Sequence, residues 1–134
     1  MLKFTFEKSV NGELNFLDTT IFEDTNGKLE LKTYIKPSAS DVKVNFREST
    51  SPTKYKISTL VTDLHRCFNT CTTEKGLDEA LDNMAHIYEK NGFPRKLIKG
   101  KIKDLKGRNF QPARPKSDRI DKYNASDSSK TYNP

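Results

Sequence analysis

Leu2, Phe4 and Phe6 alternate with Lys3, Thr5 and Glu7, the period of a strand with one face on a core. The spacing predicts a strand over residues 2–8. Asn11-Gly12 follows, the dipeptide best suited to the positive φ angles of a type I′ hairpin turn. Leu14 to Phe22 is apolar and β-branched and reads as a second strand. Asn26-Gly27 offers another turn, after which Leu29, Leu31, Thr33 and Ile35 alternate as a third strand. Short alternating runs separated by such turns predict an antiparallel meander. Lys36-Pro37 ends the ladder, since proline brings no amide hydrogen. Residues 38–50 read as an extended loop with Val42, Val44 and Phe46 turned inward.

The period then changes. Ser51-Pro52 predicts a helix start, with serine as the cap and proline in the first turn. Ile57, Leu60, Val61, Leu64, Phe68 and Cys71 recur at helical spacing. Thr72-Thr73-Glu74 can cap a second helix whose apolar stripe is Leu77, Ala80, Leu81, Met84, Ala85 and Tyr88. In Asn91-Gly92-Phe93-Pro94, Gly92 can close one helix in the left-handed conformation and Pro94 can open the next. A third helix over 95–106 carries Leu97, Ile98, Ile102 and Leu105 inside, and Arg95, Lys96, Lys99, Lys101, Lys103 and Lys106 outside. The fold class expected is α+β: a three-stranded antiparallel meander (1–37), a three-helix domain (38–106) and a disordered basic tail (107–134).

Composition sharpens this division. Hydrophobic residues make up only 33% of the 134, below the ~45–50% of ordinary globular chains, so the core should not extend along the whole length. The net charge of +6 is uneven: residues 95–134 hold 12 of the 24 Lys/Arg and only 4 of the 18 Asp/Glu. A basic region beside a near-neutral body favours a polyanionic partner. No apolar run is long enough to cross a membrane, and the first residues lack a signal-peptide core. Two cysteines are too few for a disulfide framework and point to a reducing, intracellular compartment.

Catalytic chemistry has little to stand on. A two-metal site needs converging carboxylates. Glu23-Asp24 sits at a turn, where acids are usually solvated, and Asp18 is expected to hold structure rather than metal. Cys67 and Cys71 lie one helical turn apart among apolar residues. Zinc would need two further ligands, and His65 faces away from them. No metal and no cofactor is expected. No nucleophile–base spacing, phosphate-cradling glycine loop or H-E-x-x-H motif is present. The expectation is a non-catalytic chain.

Several short motifs recur in a familiar order. They are Lys3-Phe4-Thr5-Phe6-Glu7, Asn11-Gly12 with Phe16-Leu17-Asp18, Tyr34-Ile35-Lys36-Pro37-Ser38 with Ser40-Asp41, then Asn45, Ser49, Pro52, Lys56, His65-Arg66, Cys71 and Asn91-Gly92-Phe93-Pro94. In that order they resemble the segment of Penelope-like retroelement reverse transcriptases that follows the catalytic aspartates, over residues 2 to 100. The resemblance implies the end of the palm, a primer grip and a helical thumb, a region also described as helix-turn-helix. It implies that Phe16, Leu17 and Asp18 support a primer end. It also implies that Lys36, Asn45, Lys56 and Arg66 belong to the thumb's contact or bracing residues, the nucleic-acid-binding set together with the third helix. Ser51 stands where the family has histidine, and Lys43 where it has an aromatic. The Tyr-x-Asp-Asp strand is absent from these residues, so the expectation is a truncated piece that would polymerise only with a palm-containing polypeptide.

Together these readings predict a nuclear, nucleic-acid-binding module that grips template–primer duplex through its backbone. Arg95, Lys96, Lys99 and Lys103 would neutralise phosphates, and the first two helices would form a helix-turn-helix-like pair. A sequence-specific helix-turn-helix regulator and a protein-interaction module are the alternatives. The exposed second-helix residues Glu74, Lys75, Asp78, Glu79, Asp82 and Asn83 form a mainly acidic surface, which argues against that helix reading DNA.

Overall fold

The computed structural model describes residues 1–108. All but Gly107 and Arg108 of the expected tail lie outside them. Strands β1 (Glu13–Phe16), β2 (Thr19–Glu23) and β3 (Leu29–Thr33) form an antiparallel sheet in the order β1-β2-β3. Helices α1 (Thr53–Thr70), α2 (Glu74–Lys90) and α3 (Arg95–Gly107) follow. The α+β class and the three-stranded meander are as the sequence predicts, but the strands are set differently.

Residues 2–8 form no strand, and Leu2, Phe4 and Phe6 are 85%, 89% and 81% exposed. Alternation alone does not order a strand when no apolar surface covers it. The Asn11-Gly12 turn forms all the same: φ is 53° and 77° there, and Val10 and Glu13 exchange N–H···O bonds of 2.9 and 3.0 Å. The single strand expected over 14–22 folds back on itself at Leu17-Asp18, giving β1 and β2. Phe16 then pairs with Thr19, and Thr20 donates its hydroxyl to Asn15 at 2.6 Å. Asp18 is a natural turn residue, whereas nothing in apolar periodicity marks Leu17, whose φ is 57°.

The helices pack on one another, and α1 and α2 also pack on β3. Leu60, Leu64, Cys67 and Phe68 of α1 meet Leu77, Ala80, Leu81 and Tyr88 of α2, with Phe93 and Ile98 completing the cluster. A fully buried leucine adds about 1.5–3 kcal/mol, so Leu60, Leu64, Leu77 and Leu81 carry much of the stability. Val44 and Phe46 pack against this cluster as expected, but Val42 is 79% exposed. Val42 belongs instead to a local turn, where its amide donates to Ser40 Oγ at 3.2 Å, and further on Asn45 Oδ1 accepts the Arg47 and Glu48 amides at 2.9 and 3.0 Å.

Caps set the helix limits. At α1, Pro52 rather than Ser51 is the N-cap, with no side-chain hydrogen bond. The residue before proline is pushed out of the helical region, and the Ser51 amide turns instead to Ser49 Oγ at 3.2 Å. At α2, Thr73 caps as predicted, its hydroxyl accepting the Gly76 amide at 3.2 Å. The end of α2 is a Schellman motif. Phe93 N–H bonds Tyr88 O at 3.1 Å, Gly92 N–H bonds Glu89 O at 3.0 Å, and Gly92 has φ 82°. The Phe93 ring then meets Tyr88 edge-on at 4.8 Å, the apolar contact that accompanies this cap.

Candidate nucleic-acid interface on the third helix

The four-residue turn Asn91–Pro94 fixes how α3 leaves α2. Asn91 anchors it from the outside. Its amide donates to Asp41 O and Ile87 O, each at 2.8 Å, and its carbonyl oxygen accepts the Lys43 amide at 3.0 Å. The Asn91 main-chain oxygen accepts the Phe46 amide at 2.9 Å. Loop 41–46 is thereby laced to the turn, and the two helices hold one orientation.

α3 rests on Ile98, fully buried, with Leu97, Ile102 and Leu105 half-buried beside it. The apolar stripe is narrow, which leaves a wide outer face. Its 13 residues include six Lys/Arg and one acid, Asp104. Arg95 pairs with Glu89 at 2.8 Å and Lys106 with Asp78 at 2.6 Å. Lys96, Lys99 and Lys103 are exposed and make no ion pair among the described residues. The first turn of α3 holds Arg95 and Lys96 and no acid. Cations there oppose the helix dipole, which favours anions at this end. An arrangement that weakens the isolated helix suits it to bind phosphates, because dipole and lysines act on an anion in the same direction.

The second helix differs. Glu74, Asp78, Glu79 and Asp82 are exposed on its outer face, as the sequence implied. Its surface would repel phosphates.

The other expected site residues are dispersed. Lys36 is exposed beyond β3. Asn45 builds the loop turn described above. Lys56 is a correction: it is buried at 6% exposure and gives its ammonium to Phe46 O at 2.8 Å and Ser49 O at 2.6 Å. Those carbonyls begin the segment that leads into α1, and they leave Lys56 no reach toward a phosphate. Its charge hid this role, since the sequence shows no partner for it. Arg66 is exposed and reaches Asp18 across the fold at 2.8 Å. Asp18 thus takes a structural partner, and its main-chain oxygen also accepts the Tyr34 amide at 2.8 Å. Phe16 and Leu17 stand out from the β1–β2 turn, 63% and 76% exposed.

Among the described residues, no three His, Cys, Asp or Glu side chains gather where a metal could sit. Asp24 is occupied in its own turn, where it accepts the Thr25 amide at 2.7 Å. Cys67 and Cys71 are free and buried, and burial pushes the Cys67 thiol up to about 11. Tyr88, also buried, donates its hydroxyl to Asp63 at 2.8 Å, and desolvation raises its phenol well above the ordinary value. Asp63 is paired in turn with Lys43 at 2.9 Å. These buried groups brace α1 against α2 and the loop.

The family model described as the animal helix-turn-helix domain matches residues 47–103. The matched stretch begins in the loop before α1 and takes in all of α1 and α2 and most of α3. This part of the chain is similar to a helix-turn-helix segment. No curated protein and no solved structure matches the chain. No comparison adds support to the reverse-transcriptase resemblance. No described helix is long and apolar enough to cross a membrane.

Proposed function

We propose that this chain is a DNA-binding helix-turn-helix module in which α3 is the helix laid against the nucleic acid. The observation that carries the reading is the face of Lys96, Lys99 and Lys103, unpaired among the described residues, on the helix that follows the turn. A short turn containing glycine between two packed helices is the form of this motif, and the second helix of the pair is the one that meets DNA. The acidic surface that counted against α1 and α2 as the reading pair belongs to α2. With α2 and α3 as the pair, the basic helix takes that place. Binding rests on phosphate neutralisation, the module does no bond-making chemistry itself, and a nuclear location follows from the partner.

The test is a fluorescence-anisotropy titration of a mixed-sequence DNA duplex at several salt concentrations. Binding should weaken steeply with salt. Replacing Lys96, Lys99 and Lys103 by glutamine should lower affinity and reduce the log–log salt slope by about 0.9 for each phosphate no longer neutralised. Absence of binding at low ionic strength would remove the reading.

One observation favours a second reading, in which the sheet shares the interface. The Asp18–Arg66 pair ties the exposed Phe16-Leu17 turn to α1, as a grip on a template–primer end beside a palm-containing polypeptide would require. A clear preference for a primed RNA–DNA hybrid over plain duplex would support it.

A further inference from the structure

The outer face of α3 contains a residue that the fold does not call for. Gly100 lies mid-helix and exposed, four residues after Lys96, one after Lys99 and three before Lys103. Spacings of three and four put Lys96 and Lys103 beside it on one helix face. A Cβ added there would meet nothing within 4 Å, and Gly100 is absent from the glycines of positive φ, unlike Gly92 at φ 82°. Neither packing nor backbone geometry requires glycine at this position. Glycine also weakens a helix interior. Its one physical advantage here is outward: the bare main chain lets another backbone come closer than any side chain would.

Resting on the reading of α3 as the DNA-contacting helix, we infer that Gly100 is where the sugar–phosphate strand touches the protein. The strand lies over the bare Cα. Lys96, Lys99 and Lys103 extend from around that point and hold the phosphates on either side by charge. Contact of main chain with a phosphate strand carries no base information. The remaining exposed side chains of α3 are ammonium groups and Asp104, apart from Arg95, whose guanidinium is engaged by Glu89 at 2.8 Å. With the lysines held on phosphates rather than on base edges, the interface accepts duplex of any sequence.

Gly100→Ala and Gly100→Leu separate these effects. Both should raise the melting temperature, since each improves helix propensity at an open position. Against a mixed-sequence DNA duplex, Gly100→Ala should bind about fivefold more weakly and Gly100→Leu at least about tenfold more weakly, as a wedge in a close contact does. An affinity equal to or above wild type for Gly100→Ala, with the higher melting temperature, overturns the inference. So does a binding preference for one duplex sequence that survives competition with random DNA. A failure of the underlying reading is distinct: the wild-type protein would not bind, or the triple lysine variant would bind as well as wild type.

Discussion

Thr72, in the three-residue turn between α1 and α2, completes the outer edge of β3 through Leu31. Its amide donates to Leu31 O at 3.0 Å, and its hydroxyl oxygen accepts the Leu31 amide at 2.8 Å. The same hydroxyl donates to the Glu30 carboxylate. One side chain thereby closes an otherwise open strand edge and binds the sheet to the helices. Thr72→Val keeps the shape but leaves the Leu31 amide without a partner and takes the Thr72 hydroxyl from Glu30. Unfolding in denaturant should show a loss of about 1–3 kcal/mol, the usual effect of stranding such groups.

Glu30 makes part of this stability depend on pH. The Lys28 ammonium at 2.7 Å, and after it the Thr72 hydroxyl, hold the Glu30 carboxyl below its ordinary value of 4.5. A carboxyl lowered in the folded state adds stability that is fully present above its unfolded value. That stability is lost as pH falls through the folded value. The effect should therefore appear only below about pH 4.5. Lys28 is largely exposed, so solvent screening keeps the effect small. Melting temperatures followed from neutral to acid pH should fall less steeply for Glu30→Gln than for wild type. Parallel curves would mean that this pair contributes nothing.

The helices were legible in the chain and the sheet register was not, for a physical reason. Leu60, Leu64, Leu77, Tyr88 and Ile98 repeat at helical spacing and are all buried. Gly92 and Thr73 mark their ends by local chemistry that needs no knowledge of the rest of the fold. A strand is settled by what covers it. Phe4 and Phe6 alternate as well as any residues in the chain, yet both stay more than 80% exposed with no apolar surface over them. Leu17 breaks an apolar run by its backbone angle alone. At the candidate interface, the sequence indicated the charge of α3 and the acidity of α2. It could not show that Lys56 is buried while Lys96 is exposed, because a lysine's environment depends on neighbours distant in sequence.

That contrast between two lysines can be measured. Lys56→Met removes the donor from the Phe46 and Ser49 carbonyls and the cation 5.7 Å from the Phe46 ring centroid. It should lower stability by about 1–3 kcal/mol. Below its melting temperature it should bind duplex as wild type does. Lys96→Met should behave in the opposite way, changing stability by less than about 0.5 kcal/mol, as exposed substitutions do, while weakening binding. If Lys56→Met lost affinity with its fold intact, the assignment of Lys56 to the scaffold would be wrong.

The β1–β2 turn offers a last separation of fold from function. Leu17 has φ 57°, while Asp18 is not in the positive region. The first position of a two-residue hairpin loop with positive φ is one where glycine or asparagine is the usual occupant. Leucine is strained there and, at 76% exposure, gains little from burial in return. Leu17→Gly relieves the strain but frees the unfolded chain. The first effect, about 1–2 kcal/mol, exceeds the second, about 0.5–1 kcal/mol, so thermal melts should show a net gain. Plain duplex binding through α3 should be unchanged. If Leu17→Gly specifically loses affinity for a primed RNA–DNA hybrid, the strained leucine serves an interface and the second reading gains. If hybrid and duplex are both bound as before, the turn is only a turn, and binding belongs to the lysine face of α3.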